Sequence, residues 1–167
     1  ANGEALKFAW ATEGDRPAGV LQIANKAEHI ERFEFADEMA LSGIVIHSDG
    51  STELVGTAAA DTINGTADED ILNGAGGSDI LTGGPETDTF VFTSAGAATD
   101  TVTDFETSGA SADALQFESS VFADFNAVLA AAQDDGTDTT ITLDADSQVV
   151  LKNVLVSNLQ SDDFVFV

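Results

Sequence analysis

GTAAADTIN-GTADEDILN-GAGGSDILT-GGPETDTFV, residues 56–91, decides the fold of this chain. Four nine-residue units follow one another without a gap. Each opens on Gly, carries Asp at its sixth place and has Ile, Leu or Phe at its eighth. Self-similarity at a fixed period marks a repeat architecture, in which one unit cannot bury its own apolar residue and stacked units can. Stacking predicts one continuous apolar column of Ile63, Leu72, Leu81 and Phe90. The residues around each apolar position suit a very short strand. The Gly-rich residues before it suit a tight turn. A flexible Gly/Thr/Asp linker is the alternative, but a linker has no reason to keep Asp and an apolar residue in register through four units.

If two strands and two turns make one coil, turns 18 residues apart lie above one another, at a strand spacing of about 4.8 Å. Asp61 then stacks on Asp79, and Asp70 on Asp88. Carboxylates brought this close repel. A hard divalent cation between the turns removes the repulsion. Calcium takes about six to eight oxygen ligands from carboxylates and backbone carbonyls, whereas magnesium demands tighter octahedral geometry and retains its waters.

The run resembles the RTX nonapeptide repeat, Gly-Gly-x-Gly-x-Asp-x-apolar-x, most closely in GAGGSDILT (74–82). The second Gly of that pattern is Thr57, Thr66 and Ala75 here and survives as Gly84. The fourth is Ala59, Asp68 and Glu86, and survives as Gly77. The resemblance implies an all-β fold: a short parallel β-roll of about two coils, capped by N-terminal strands and by a C-terminal β-rich segment with one short helix. It implies Ca2+ as the bound ion. The metal residues it points to are Asp61, Asp79, Asp70 and Asp88, with Gly56, Gly65, Gly74, Gly76, Gly77, Gly83 and Asp68 in the turns. Two paired sites are expected.

The flanks carry further resemblance. Residues 18–46, FEFADEMAL above all, are similar to strands that precede RTX repeats, although Asp37-Glu38 stands where that family has Asp-Gly. FVFTSAGAATDTVTDFETSGASADALQF (90–117) resembles the C-terminal RTX module of serralysin-type proteins, where acidic residues can help complete the last calcium site. Asp100 and Asp104 match those positions. The ending SDDFVFV (161–167) reads as a last strand packing Phe164 and Phe166. By resemblance it is also a type I secretion signal, an acidic residue followed by apolar ones.

Three segments of one cooperative domain are expected: 1–54, 55–91 and 92–167. In the first, LKFAW (6–10), VLQIA (20–24), IERFEFAD (30–37) and ALSGIVI (40–46) read as strands, with turns at Pro17-Gly19 and SDGS (48–51). In the last, TVTDF (101–105) and ADALQF (112–117) read as strands. SSVFADFNAVLAAAQ (119–133) reads as a helix capped by Ser119 or Ser120, with Phe122, Phe125, Val128 and Leu129 on one face. TTITLDADSQVVLKNV (139–154) reads as a hairpin.

Composition excludes several functions. The 167 residues carry 30 acidic against 5 basic side chains, a net charge of −25. Nucleic acid and anionic membranes need a basic footprint and are not expected partners. Hydrophobic content of 43% allows a core, so wholesale disorder is not expected. With no Cys there is no disulfide and no thiol nucleophile, and a metal is the expected staple. No leader with a basic and then an apolar stretch opens the chain, which is expected to be part of a longer protein. No zincin or nucleophile-elbow motif occurs, and no enzyme is expected. His29 and His47 have no third ligand at a suitable spacing, and Trp10 reads as a core anchor.

The expected function is a calcium-binding RTX module of a secreted bacterial protein that folds on calcium after export by type I secretion machinery, at the cell surface or outside. The alternatives are an adhesive or carbohydrate-binding module, or the non-catalytic end of a secreted protease or lipase.

Overall fold

The computed structural model describes strands 6–9, 19–24, 30–35 and 43–46 and residues 51–93 and 98–167. Trp10, Pro17, His29, the Asp37-Glu38 turn, His47 and most of the 48–51 turn lie outside the described residues.

Strands β1 (Leu6–Ala9), β2 (Gly19–Ala24), β3 (Ile30–Phe35) and β4 (Gly43–Ile46) precede the repeats. The repeats and their approach give β5 (Thr52–Val55), β6 (Thr62–Asn64), β7 (Asp70–Asn73), β8 (Ile80–Thr82) and β9 (Thr89–Phe92). Then follow β10 (Thr99–Val102), β11 (Ala114–Phe117), α1 (Phe125–Ala131), β12 (Ala132–Asp134), β13 (Thr139–Thr142), β14 (Gln148–Leu151) and β15 (Phe164–Phe166).

Successive repeat strands alternate between two sheets. One runs β1-β4-β5-β7-β9-β11-β15, the other β12-β13-β14-β10-β8-β6; β2 and β3 pair with each other. From β5 to β11 and from β6 to β14 neighbours are parallel, which is a β-roll. The expected single apolar column is two facing columns, because alternate units contribute to opposite sheets. One is Leu54, Leu72, Phe90, Leu115 and Phe164 in direct register. The other is Ile63, Leu81, Val102 and Leu151. All nine are buried. Outward residues between them, such as Ile71 and Ile80, are exposed.

The roll is also longer than the two coils expected. Strand stacking continues beyond residue 91 into β10 and β11. Its step lengthens there from 18 residues to 21 and then 25. Both strands still deliver inward apolar residues, Val102 from β10 and Leu115 with Phe117 from β11.

The helix is shorter than expected and starts later. Asp124, not a serine, is its N-cap, accepting from the Ala127 amide at 3.0 Å. Ser119 is engaged by the chain terminus, donating its amide and hydroxyl to the Val167 carbonyl, and the Ser120 hydroxyl donates to Glu118. Phe122 and Val128 are buried as expected, with Phe125 packed on Phe164 at 5.3 Å between ring centres. The 139–154 hairpin forms as antiparallel β13 and β14, and Phe164 packs from a last strand parallel to β11.

Phe90 lies between Leu72 and Leu115 and tilts against Phe105. Phe90→Ala is expected to cost about 3–5 kcal/mol in urea unfolding. Ile71→Ala, on the outer face, should stay within about 0.5 kcal/mol.

Candidate metal centre

Each repeat turn delivers its Asp two residues before the inward apolar residue, at the point where turn becomes strand. There the Asp side chain reaches the backbone of the coil beneath. One carboxylate oxygen, Oδ1, accepts the amide of the residue one coil earlier: Asp70 from Thr52 at 3.0 Å, Asp79 from Asp61 at 2.8 Å, and Asp88 from Asp70 at 2.9 Å. The pattern extends past the repeats. Asp100 Oδ1 accepts from Asp79 at 3.0 Å and Asp113 Oδ1 from Asp88 at 2.9 Å. Two ladders result, Asp61-Asp79-Asp100 and Asp70-Asp88-Asp113, one for each sheet. The structure therefore brings Asp61 to Asp79 and Asp70 to Asp88 as the spacing predicts.

The second oxygens are unequal. Thr57 donates its amide (2.6 Å) and hydroxyl (2.9 Å) to Asp61 Oδ2. Thr66 does the same for Asp70 Oδ2, at 2.5 and 3.0 Å. Asp79 Oδ2 and Asp88 Oδ2 are buried with no hydrogen-bond partner, as is Asp61 Oδ1. A buried carboxylate oxygen without a donor is costly unless a cation meets it.

The glycines make room at these oxygens. A Cβ on Gly74 or Gly83 would lie 2.2 Å from Oδ2 of Asp79 or Asp88. One on Gly56 would meet the Gly74 carbonyl at 2.3 Å, and one on Gly65 the Gly83 carbonyl at 2.2 Å. Gly77 approaches the Ala59 carbonyl, and the Gly76 amide donates to the Thr57 carbonyl at 3.0 Å, so stacked turns touch through bare backbone. Asp68 sits half-buried at its turn, its amide donating to the Thr66 hydroxyl at 3.2 Å. Asp104 accepts the amides of Gly83 and Gly84, both at 3.0 Å, and so braces the last repeat turn.

Burial pushes the Asp88 carboxyl up to about 7, with Asp113, Asp70 and Asp104 adding repulsion against its backbone hydrogen bond. Burial likewise raises Asp79 to about 6, with Asp100 and Asp61 contributing, and Asp113 to about 6, with Asp104 and Glu106 contributing. Asp100 is raised, chiefly by burial.

Sequence reasoning missed Asp113. Its signal is present in Asp113-Ala114-Leu115, the same Asp-x-apolar triplet as the repeats, but the longer step hides it from a nine-residue search. Among the described residues no three His, Cys, Asp or Glu side chains gather into a metal cluster. The donor set is instead carboxylate pairs and exposed backbone carbonyls. That set of hard oxygens fits calcium and lacks the imidazole and thiolate groups usual at zinc.

The RTX calcium-binding nonapeptide repeat, in 4 copies, matches residues 49–90. These are RTX repeats. As such they bind Ca2+. No relative is found among curated proteins. The fold is similar to that of the extracellular lipase LipA from Serratia marcescens, with a TM-score of 0.50 at 18% identity. The likeness covers 89% of this chain and 26% of the lipase chain, so this chain spans about a quarter of that protein's length. No described helix is long and apolar enough to cross a membrane.

The raised carboxyls set a pH dependence. Folded, calcium-free protein holds protons on Asp79, Asp88 and Asp113 that the unfolded chain, with ordinary values near 3.8, gives up. The resulting stability is fully present below about 3.8 and is lost as pH rises through about 6–7. In chelator, the melting temperature should fall between pH 5 and pH 8. With calcium, which needs the ionised carboxylates, the gap over chelator should widen across the same range. Calorimetric scans in both buffers check this.

Proposed function

We propose that this chain is the non-catalytic, calcium-responsive folding module of a protein exported by type I secretion machinery. The observation that carries the reading is the pair of buried, donorless oxygens on Asp79 and Asp88 within stacked carboxylate ladders. Where calcium is scarce, those carboxylates oppose the coil that buries them. Net charge of −25 adds a general repulsion to compaction. Where calcium is abundant, it binds the folded roll and not the open chain. Each site then shifts the equilibrium by RT ln(1 + [L]/Kd), about 2.7 kcal/mol at a hundredfold excess over Kd.

Asp61 with Asp79, and Asp70 with Asp88, would hold the ions, together with carbonyls exposed by Gly56, Gly65, Gly74, Gly76, Gly77 and Gly83. Asp68 and Asp104 support the turns. The chain's own work is to supply rigid, closely stacked oxygens; the ion supplies positive charge between them.

The export reading rests on SDDFVFV at the end of the chain. In the folded state Ser161–Asp163 form a 3-10 turn and Phe164–Phe166 form β15 on the edge of the larger sheet, with Phe164 in the column beside Leu115. An open chain offers the same residues to the secretion machinery. Attachment of such a roll to a secreted enzyme is the form of the reading that the lipase-like fold supports, with this chain as a part of a longer protein.

Far-ultraviolet circular dichroism should show a β-rich fold with calcium and a largely open chain in chelator at neutral pH. Equal spectra would sink the switch. Deleting Asp162–Val167 should abolish export from a host with a type I system, while a deletion that still exports would remove the signal from this tail.

A further inference from the structure

The four repeat turns fall into two conformational classes. In the third and fourth units the second and fourth residues are left-handed: Ala75 (φ 67°) with Gly77 (φ 100°), and Gly84 (φ 112°) with Glu86 (φ 72°). In the first two units the equivalent residues Thr57, Ala59, Thr66 and Asp68 are not. Hydrogen bonding follows this division. Thr57 and Thr66 turn both amide and hydroxyl onto their own unit's Asp. The Ala75 amide instead donates to the Asn73 side chain at 2.8 Å, and the Gly84 amide to Asp104. Asp79 Oδ2 and Asp88 Oδ2 are thereby left without donors, although Asp79 is 1% and Asp88 0% exposed.

The contrast is cleanest within one ladder. Asp70 receives four donors, the amides and hydroxyls of Thr52 and Thr66. Asp88 receives the Asp70 amide on Oδ1, and its Oδ2 faces Gly83 with nothing to accept. A carboxylate with four donors has little to gain from an ion. One whose buried oxygen has no donor has the most.

We propose that Thr57 and Thr66 act as built-in substitutes for calcium, so that the first two repeat turns close on their own donors and calcium is held chiefly through Asp79 and Asp88. The roll then has an entry half whose Oδ2 atoms are met by threonine, with Asp61 Oδ1 still donorless, and a second half whose Oδ2 atoms depend on calcium. Ordering starts on the threonine-capped turns and is completed by the ion at the left-handed ones. The proposal rests on the calcium reading above and divides its sites.

Titration calorimetry with calcium chloride, alongside thermal melts in chelator, both at pH 5 where the calcium-free roll is folded, tests the division on the whole chain. Asp88→Asn should weaken calcium binding about tenfold or more. Asp70→Asn should weaken it several-fold less than Asp88→Asn does, while lowering the melting temperature in chelator. Thr66→Val, which removes only the hydroxyl, should also lower the chelator melt and leave calcium affinity unchanged. Equal calcium losses in Asp70→Asn and Asp88→Asn, or a calcium loss in Thr66→Val, would overturn the division and keep the calcium reading. A wild-type chain giving no calcium heat would overturn both.

Discussion

The structure depends on one interaction, a carboxylate that reaches down one coil to take a backbone amide. Repeat strands of three or four residues make few ladder hydrogen bonds, too few to define a stack. The Asp side chain adds a bond at the point where strand becomes turn and ties successive turns together. It also fixes the register, because Asp and the inward apolar residue are two apart on the same face of the strand. Slipping by one residue would expose Leu72 and bury Ile71, and would take Asp70 off its amide donor in the same step. Apolar columns and carboxylate ladders therefore enforce one alignment.

A parallel stack of this kind has to end somewhere, and exposed edges invite pairing. At one end β4 and β1 turn antiparallel onto β5. At the other, the two sheets close differently. The larger one accepts β15, and the Val167 carbonyl just after it is held by Ser119. The smaller one accepts β14 and the hairpin, where Val149 stands beside Asp100 in the register. An apolar residue at the ladder position stops the carboxylates there, and β13 and β12 continue antiparallel. The Lys152–Asp138 ion pair and the Asn153 amide on Asp138 fasten this cap at its turn.

What could be read from the sequence was whatever obeyed the nine-residue period. Asp61, Asp70, Asp79 and Asp88 and the inward Ile63, Leu72, Leu81 and Phe90 stand where the period puts them. Asp113 does not obey it, because the turn before β11 is longer, so the second ladder looked shorter than it is. The helix start was misread for a different reason. Ser119 is a good local cap, but the chain terminus, distant in sequence, occupies it, and Asp124 takes the role. Local propensity decides such a position only when no tertiary partner competes. The inequality of the four turns was half visible: Thr57 and Thr66 depart from the repeat pattern, but which way their hydroxyls face needs coordinates.

Ala75 and Glu86 sharpen the meaning of that inequality. Left-handed backbone costs a non-glycine L-residue about 1–2 kcal/mol. Both residues are exposed, so no packing of their side chains explains the conformation. The turn around them explains it. With Ala75 and Gly77, or Gly84 and Glu86, left-handed, the second residue's amide leaves the carboxylate and a buried oxygen faces the turn undonated. Strain and an orphaned oxygen in the same turn are two costs of one geometry, and a calcium ion at that oxygen offsets both. The first two turns avoid the strain, and Thr57 and Thr66 satisfy the Oδ2 atoms there, which leaves Asp61 Oδ1 as the donorless oxygen of that half. Departure from the glycine pattern is thus not decay of the repeat. It places a hydroxyl where an ion would otherwise be required, and leaves the demand for calcium at the two turns that carry the stack into its C-terminal half.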